Sequence, residues 1–375
     1  VNYRSDSPSL SDLSQSIFAS LGLTSAVNSL ALAPARRTCL LLVDGLGAHG
    51  LARYGDQFPI FAQLNNHGEL ASHFPTTTVT NLTSLGTGVE PGVHGMLGYT
   101  VKVPGSGTPG RLLNALKWDE KVDPLIWQRT PTLFERARDA GLNVSTVGDK
   151  RYADTGFTQA SLRGATYLAA NHIPEMVSAA KSALAEPNSF VYVYTNILDH
   201  AGHNFGEGSE QWLIALKTVA DLVTRLVNEL PRNARFYLTA DHGMVNAGEK
   251  IILGESNPLM NNVTLVGGEP RMRHIYLESG SENEAVATWR EYLGDRAMVY
   301  TKRDAIAAGL FGGNVSNVSD VSDASVDRMG DLLAIAHYDY VLIDPARSVQ
   351  ESSIIGQHGG LTPEERDIPL LGILI

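Results

Sequence analysis

The sequence predicts an α/β protein, a mostly parallel β-sheet sandwiched between helices with a smaller α+β cap inserted late in the chain. Three observations predict it. Short, almost wholly apolar runs, TCLLLV (38–43), FVYVYT (190–195) and RFYLTA (235–240), have the pattern of strands buried on both faces. Segments of helical period alternate with such runs, and that alternation implies parallel strands covered by helices on both sides. After Met244 the rhythm changes to short strands and one helix, which places the cap at 250–336.

Taken in order, SLSDLSQSIFASLG (9–22) is spaced as a short amphipathic helix with Ser9 or Ser11 as its cap. TCLLLV follows and ends at Asp44-Gly45. Residues Phe58–Asn65 carry helical period. Leu70 to Phe74 is an extended run broken by Pro75, after which three threonines lead into a segment, Asn81 to Gly88, small enough to be helical. Residues 96–130 show little period, hold Trp118 and Trp127, and read as a long functional or irregular loop. Alternation resumes with a helix in TLFERARDAG closed by Gly141, a strand in NVSTVG and a helix in PEMVSAAKSALA. Beyond FVYVYT, apolar residues at 212, 216, 219, 223, 226 and 230 make a helical stripe. In the insertion VTLV and RHIYLE read as strands, ENEAVATWREYL as a helix, and GGNVSNVSDVSDAS as a polar, glycine-containing stretch. YDYVLI (338–343) returns to the core and LLGILI closes it. Residues 1–249 and 337–375 are thus expected to form the catalytic core.

Composition narrows the function. The 375 residues are 43% hydrophobic and 18% charged, an ordinary globular balance. A formal net charge of -11 argues against binding a nucleic-acid scaffold, which requires basic faces. A small anionic substrate remains compatible if metal ions supply local positive charge. Cys39 is the only cysteine, so no intrachain disulfide forms. No apolar stretch reaches the roughly 20 residues of a membrane helix. The polar start, VNYRSDSPSLSDLSQ, is unlike a signal peptide, so a cytoplasmic location is expected, with a leader removed before Val1 left open. The oligomeric state is not legible.

Ionisable residues cluster where strands end. Asp44 follows TCLLLV; Asp199 and His203 follow FVYVYT in LDHAGH; Asp241 and His242 follow RFYLTA in ADHG; His358 comes late in QHGG. Each taken alone has a plain explanation as a turn, a cap or an i,i+4 pair. Together they converge, because parallel strands share one carboxyl edge. Three Asp and three His with no cysteine suit two adjacent divalent ions, about 4 Å apart in sites that displace groups at phosphorus. Thr78 stands where a strand hands over to a helix, and the N–H groups of a helix N-terminus attract phosphate. The alternative for Thr78 is a simple N-cap. GLGAHG (45–50) imitates a dinucleotide loop, with Glu69 downstream as its acid. Asp44 directly before that loop would repel a pyrophosphate, and Glu69 precedes its strand instead of ending it.

The ordered set of motifs resembles the alkaline phosphatase superfamily, most closely its type I phosphodiesterase/nucleotide pyrophosphatase branch, over about residues 38–100, 130–245 and 336–375. The resemblance implies an alkaline-phosphatase-like fold and a two-metal hydrolase of phosphodiester or phosphoanhydride bonds, working through a phosphothreonine on Thr78. It implies that Asp44, Asp241 and His242 hold one zinc, which Thr78 faces, and that Asp199, His203 and His358 hold the other. It assigns Asn81 to the catalytic set, stabilising phosphate oxygens. Thr80 stands where the family has proline. Val79 replaces the aromatic residue that stacks on a base in many relatives, Tyr99 lies near the position of a phosphate-binding Asn, and Tyr194 matches a position lining the nucleotide slot. The expected partner is a small phosphodiester or nucleotide. Rival readings are a phosphomonoesterase, phosphonate hydrolase or phosphomutase of the same superfamily, or a metal-binding protein without catalysis.

Overall fold

The computed structural model describes residues 7–312 and 321–375. The first six residues, and 313–320 within GGNVSNVSDVSDAS, lie outside the described residues.

The chain opens with helix α1 (Leu10–Ser20), whose Ser9 cap forms a reciprocal capping box with Asp12. Then come β1 (Arg37–Val43), α2 (Ala48–Tyr54), β2 (Asn65–Ala71), α3 (Thr78–Thr87), α4 (Leu133–Asp139), β3 (Asn143–Gly148), β4 (Thr166–Ala169), α5 (Ile173–Ala183), β5 (Ser189–Thr195), α6 (Ile197–Phe205), α7 (Glu210–Glu229) and β6 (Arg235–Thr239). A second group follows: β7 (Val263–Glu269), β8 (Met272–Leu277), α8 (Glu282–Leu293), β9 (Ala297–Thr301) and β10 (Leu332–Ala336). β11 (Asp367–Leu374) closes the chain.

Seven strands form the central sheet in the order β2–β11–β6–β1–β5–β3–β4. β1 pairs in parallel with both β5 and β6, and β3 in parallel with β5 and β4; β11 runs antiparallel to both of its neighbours. The apolar run legible in the sequence is the middle strand, with Thr38 through Val43 all buried. Phe18 of α1 and Phe134 of α4 meet Phe190 of β5 at 4.7 and 5.6 Å between ring centroids, which seats these helices on one face. In α7 the expected stripe, Trp212, Leu216, Val219, Val223 and Leu226, is buried. Each such side chain contributes about 1.5–3 kcal/mol by leaving water.

Two strand readings are corrected. Of the run Leu70 to Phe74 only Leu70 and Ala71 are strand; they end β2, which begins at Asn65 and is exposed through Glu69. An edge strand needs no apolar pattern on its open side, so nothing in NNHGE announced it. YDYVLI does not rejoin the central sheet. Its strand, Val341–Ile343, pairs in parallel with Lys250–Ile252, and Leu342 packs with Ile251 in a second hydrophobic cluster around Trp289. The loop at 96–130 contains a hairpin, Thr100–Lys102 with Leu112–Asn114. β4 and the helix before it, Gly156–Ser161, were not legible.

β7, β8, β10 and β9 form a four-stranded antiparallel sheet backed by α8. Two buried ion pairs join it to the C-terminal segment. Arg271 Nε and Nη2 donate to the two oxygens of Glu365 at 3.0 and 2.8 Å, with both side chains at 0% exposure. Arg273 is paired with Glu351. Breaking a fully buried pair leaves a charge without solvation, at about 3–5 kcal/mol. Glu365→Ala is therefore expected to lower the urea unfolding midpoint by an amount equal to that cost. A midpoint at the wild-type value would show that the pair carries no such weight.

Candidate active site

β6, β1 and β5 lie side by side, so their carboxyl ends present one edge. Asp44 follows β1 directly. Its N–H donates to the Thr195 carbonyl at 2.9 Å and its carbonyl accepts the Asp199 N–H at 3.1 Å, which ties the start of α6 to the end of β1. Asp241 lies just past β6, with Oδ1 accepting the N–H groups of Gly45 and His242 at 3.2 and 3.1 Å. The glycines of GLGAHG serve this packing. A Cβ on Gly47 would fall 2.8 Å from the Gly243 Cα, so the two loops abut backbone to backbone.

The threonine turn meets this edge from β2. The Phe74–Pro75 peptide is cis. Thr77 is the N-cap residue and makes no side-chain capping bond, while Thr78 is the first residue of α3. The N-cap explanation of Thr78 therefore fails by one position. Its hydroxyl lies 3.2 Å from His242 Nε2 and donates to Asp44 Oδ2 at 3.5 Å.

The three histidines are oriented alike. Nδ1 of His203 donates to the Gly356 carbonyl at 2.7 Å, that of His242 to Gly243 at 3.0 Å, and that of His358 to Thr76 at 2.9 Å. A carbonyl partner requires the proton on Nδ1 and leaves Nε2 as a lone pair. His242 Nε2 is 3.4 Å from Asp44 Oδ1 and 3.6 Å from Asp241 Oδ2; Nε2 of His203 and His358 lie 3.3 and 3.7 Å from Asp199 Oδ1. Those same three carboxylate oxygens are buried and have no hydrogen-bond partner. Lone pairs thus face lone pairs, an arrangement that a divalent cation turns from repulsive to attractive. The donor set fits a metal on this ground. Burial, and next Asp241 and Asp199, hold the Asp44 carboxyl well above its usual range. Burial, with His242 and His203 adding, keeps His358 neutral far below the usual imidazole range.

Ligand atoms of Asp44, Asp241 and His242 lie within 4.8 Å of one another, and so do those of Asp199, His242 and His358. The expected division is therefore less clean in space. The His242 ring stacks on His358 at 3.6 Å and 14°, within reach of both groups, while the His203 ring stands 5.1 Å from His358.

Thr78, Asp44, Asp199, His203 and His358 border a cavity of about 500 Å³. Tyr99, Tyr152, Tyr167 and Tyr194 form much of its wall. Tyr194 has a second task, because its hydroxyl donates to Asp44 Oδ2 at 2.5 Å. Two expected contacts do not reach the cavity. Val79 is 1% exposed and packs in the hydrophobic core. Asn81 faces back: its amide donates to the carbonyls of His73 and Thr77 at 3.1 Å each and its oxygen accepts the His73 N–H at 2.7 Å. Every strong bond it makes is to the turn, so it braces Thr78 and does not touch substrate.

Thr76 was not singled out by sequence. Its hydroxyl donates to the Gly360 carbonyl at 2.9 Å and accepts the Gly359 N–H at 3.1 Å, and its carbonyl holds His358. One residue thereby ties the threonine turn to the His358 loop. Glu269, at the end of β7, also enters the cavity wall unannounced. For Thr76 the only sequence signal was its place beside Thr78, and for Glu269 there was none.

A family model described as type I phosphodiesterase/nucleotide pyrophosphatase matches residues 38–361, which hold the whole four-stranded sheet and every candidate ligand just described. The chain belongs to the type I phosphodiesterase/nucleotide pyrophosphatase family. This is a family of metal-dependent hydrolases of phosphodiester and nucleotide pyrophosphate bonds. No curated protein matches the chain in sequence. Among solved structures, murine ectonucleotide pyrophosphatase/phosphodiesterase 5, in an inactive threonine-to-alanine form in complex with AMP, superposes with a TM-score of 0.69 at 16% identity, covering 90% of this chain and 87% of that one. The human protein of the same name gives 0.67 at 15% identity, with coverage of 90% and 87%. At such identity the likeness is one of fold. No helix among the described residues is long and apolar enough to cross a membrane. The structural neighbours are ectonucleotide enzymes by name, so the expected cytoplasmic location finds no support among them.

For this family member, Thr76→Val should weaken divalent-ion binding by about 10- to 100-fold, the usual cost of losing a group that orients a ligand. Thr76→Ser should restore it. Equilibrium dialysis with metal analysis checks this, and a valine variant with wild-type affinity would remove Thr76 from the set.

Proposed function

We propose that the chain hydrolyses small phosphodiesters or nucleotide phosphoanhydrides by transferring the phosphoryl group to Thr78, with divalent ions, zinc by the chemistry of the donors, held at two neighbouring positions. Asp44, Asp241 and His242 would hold one, and Asp199, His203 and His358 the other, with His242 near both. The observation that carries this reading is the Thr78 hydroxyl. It stands at the first position of an uncapped helix, opens on the cavity, and lies beside buried carboxylates whose oxygens have no partner.

When bound, the ions would acidify the threonine hydroxyl and stabilise charge on the leaving oxygen. The chain's own groups do the rest. Thr78 Oγ1 forms the bond to phosphorus while the bond to the leaving oxygen breaks on the opposite side. The hydroxyl proton faces Asp44 Oδ2 and His242 Nε2, and the departing alcohol or phosphate takes up a proton as it leaves. The free N–H groups at the start of α3 face the non-bridging oxygens. Thr78 then carries the phosphoryl group with its remaining ester substituent; water attacks this phosphorus from the vacated side, the monoester is released, and Oγ1 recovers its proton. Asn81 and Thr76 hold the turn in register throughout.

Diesters are favoured over monoesters by charge. No cation is bonded to Thr78 among the described residues; of the two that line the cavity, Arg347 is already paired with Asp344 and Glu351, and Lys117 is exposed. Nucleotides remain in range because tyrosines line the cavity, and a fold neighbour is solved with AMP. With Val79 buried, base stacking falls to Tyr99, Tyr152 or Tyr194.

Thr78→Ala should keep its fold and its metal and lose k-cat by far more than tenfold, whereas Thr78→Ser should retain part of the activity. Acid quench of the wild type during turnover should trap phosphate on Thr78. Near-normal turnover by Thr78→Ala would overturn the covalent route. In a separate measurement, metal analysis of His358→Ala is expected to show loss of one of two ions. A single ion in the wild type, unchanged in the variant, would remove the two-metal arrangement.

A further inference from the structure

Glu269 ends β7 and brings the only carboxylate that the four-stranded sheet contributes to the cavity wall. It is 5% exposed. The Tyr99 N–H pins Oε2 at 2.8 Å, while Oε1 is buried without a partner. The backbone makes room for this carboxyl. Gly98 and Gly359 both have positive φ, and a Cβ on Gly359 would fall 2.6 Å from the Glu269 Cγ. Gly359 is the residue after His358, so the free oxygen sits on the Asp199 and His358 side of the cavity. Thr78 attacks from beside Asp44 and His242, so in the reading above the leaving group departs toward this other side. The arginines nearest in effect, Arg273 and Arg347, have carboxylates of their own in Glu351 and Asp344. Burial pushes the acid up to about 8, against the pull of the Tyr99 N–H, Arg273 and Arg347.

A carboxyl pinned through one oxygen, with the other oxygen lacking a partner, is a hydrogen-bonding group for a hydroxyl. We propose that Glu269 is a leaving-group subsite that takes a hydroxyl of a polyhydroxy alcohol esterified to the scissile phosphate. This rests on the phosphodiesterase reading of Thr78 and names the class of substrate that site prefers.

The glyceryl and propyl esters of AMP differ only in hydroxyl groups, and hydrolysis of either releases AMP. The wild-type enzyme should favour the glyceryl ester in k-cat/KM by about tenfold or more, as expected where a buried polar group is otherwise left unpaired. Glu269→Leu should bring that ratio to about one. Glu269→Gln, of the same shape and still able to hydrogen-bond, should keep most of it. Calorimetry of the same two esters on Thr78→Ala reads the subsite without turnover and should show the same preference. A wild-type ratio near one, in turnover or in binding, would overturn the proposal, as would an unchanged ratio in Glu269→Leu. Failure of the wild type to turn over the nitrophenyl ester of thymidine monophosphate would instead count against the phosphodiesterase reading, and the calorimetric ratio would still decide the subsite.

Discussion

Three carboxylates and three unprotonated imidazole nitrogens are driven into one small buried volume, and the structure depends on how that crowding is resolved. No hydrogen bond satisfies the inward oxygens of Asp44, Asp199 and Asp241. Each histidine commits its Nδ1 proton to a backbone carbonyl and turns Nε2 toward these oxygens. Burying unpaired charge costs several kcal/mol per group. The arrangement is stable as a cation site and frustrated as anything else, so the folding of the sheet edge and the binding of metal are one problem. The three central strands solve its geometry by placing their ends side by side.

The nucleophile turn is the second constraint. It must hold a hydroxyl at a helix start without letting a side chain cap that helix. Thr77 leaves the cap unmade, Asn81 closes the turn from behind, and Ser72 donates to the Asp241 carbonyl at 2.6 Å. Thr76 joins the turn to the loop that carries His358. The residues around Thr78 therefore fix its position from several directions, and preorganisation of this kind is what transition-state stabilisation requires.

The small sheet is fastened to the centre by its arginines. Arg271 meets Glu365, which also accepts the Gly360 N–H at 2.8 Å, two residues after His358. Glu269 lies two residues before Arg271 and faces the cavity. One tight turn thus supplies both an anchor for the metal-ligand loop and a polar group in the substrate cavity.

Much of the site was legible because its chemistry repeats along the chain. Asp44, Asp199 with His203, and Asp241 with His242 each follow a strongly apolar run, and parallel topology carries such positions to one edge. What packs behind the site was not legible. The resemblance put Val79 and Asn81 on the substrate side, yet on a helix their side chains project elsewhere, into the core and back onto the turn. β2 escaped notice because an edge strand has no need of apolar residues, and Val341–Ile343 pairs away from the central sheet although its composition suits a core strand. By itself the sequence determined the central strands, the stripe of α7 and the Asp and His residues that gather at one sheet edge, since period and residue type state these locally. The tertiary structure alone decided which imidazole reaches which carboxylate, that Tyr194 bonds Asp44, and that Glu269 enters the cavity. The Tyr194–Asp44 bond spans 150 residues and the Tyr99–Glu269 bond 170, and no local pattern encodes such an approach.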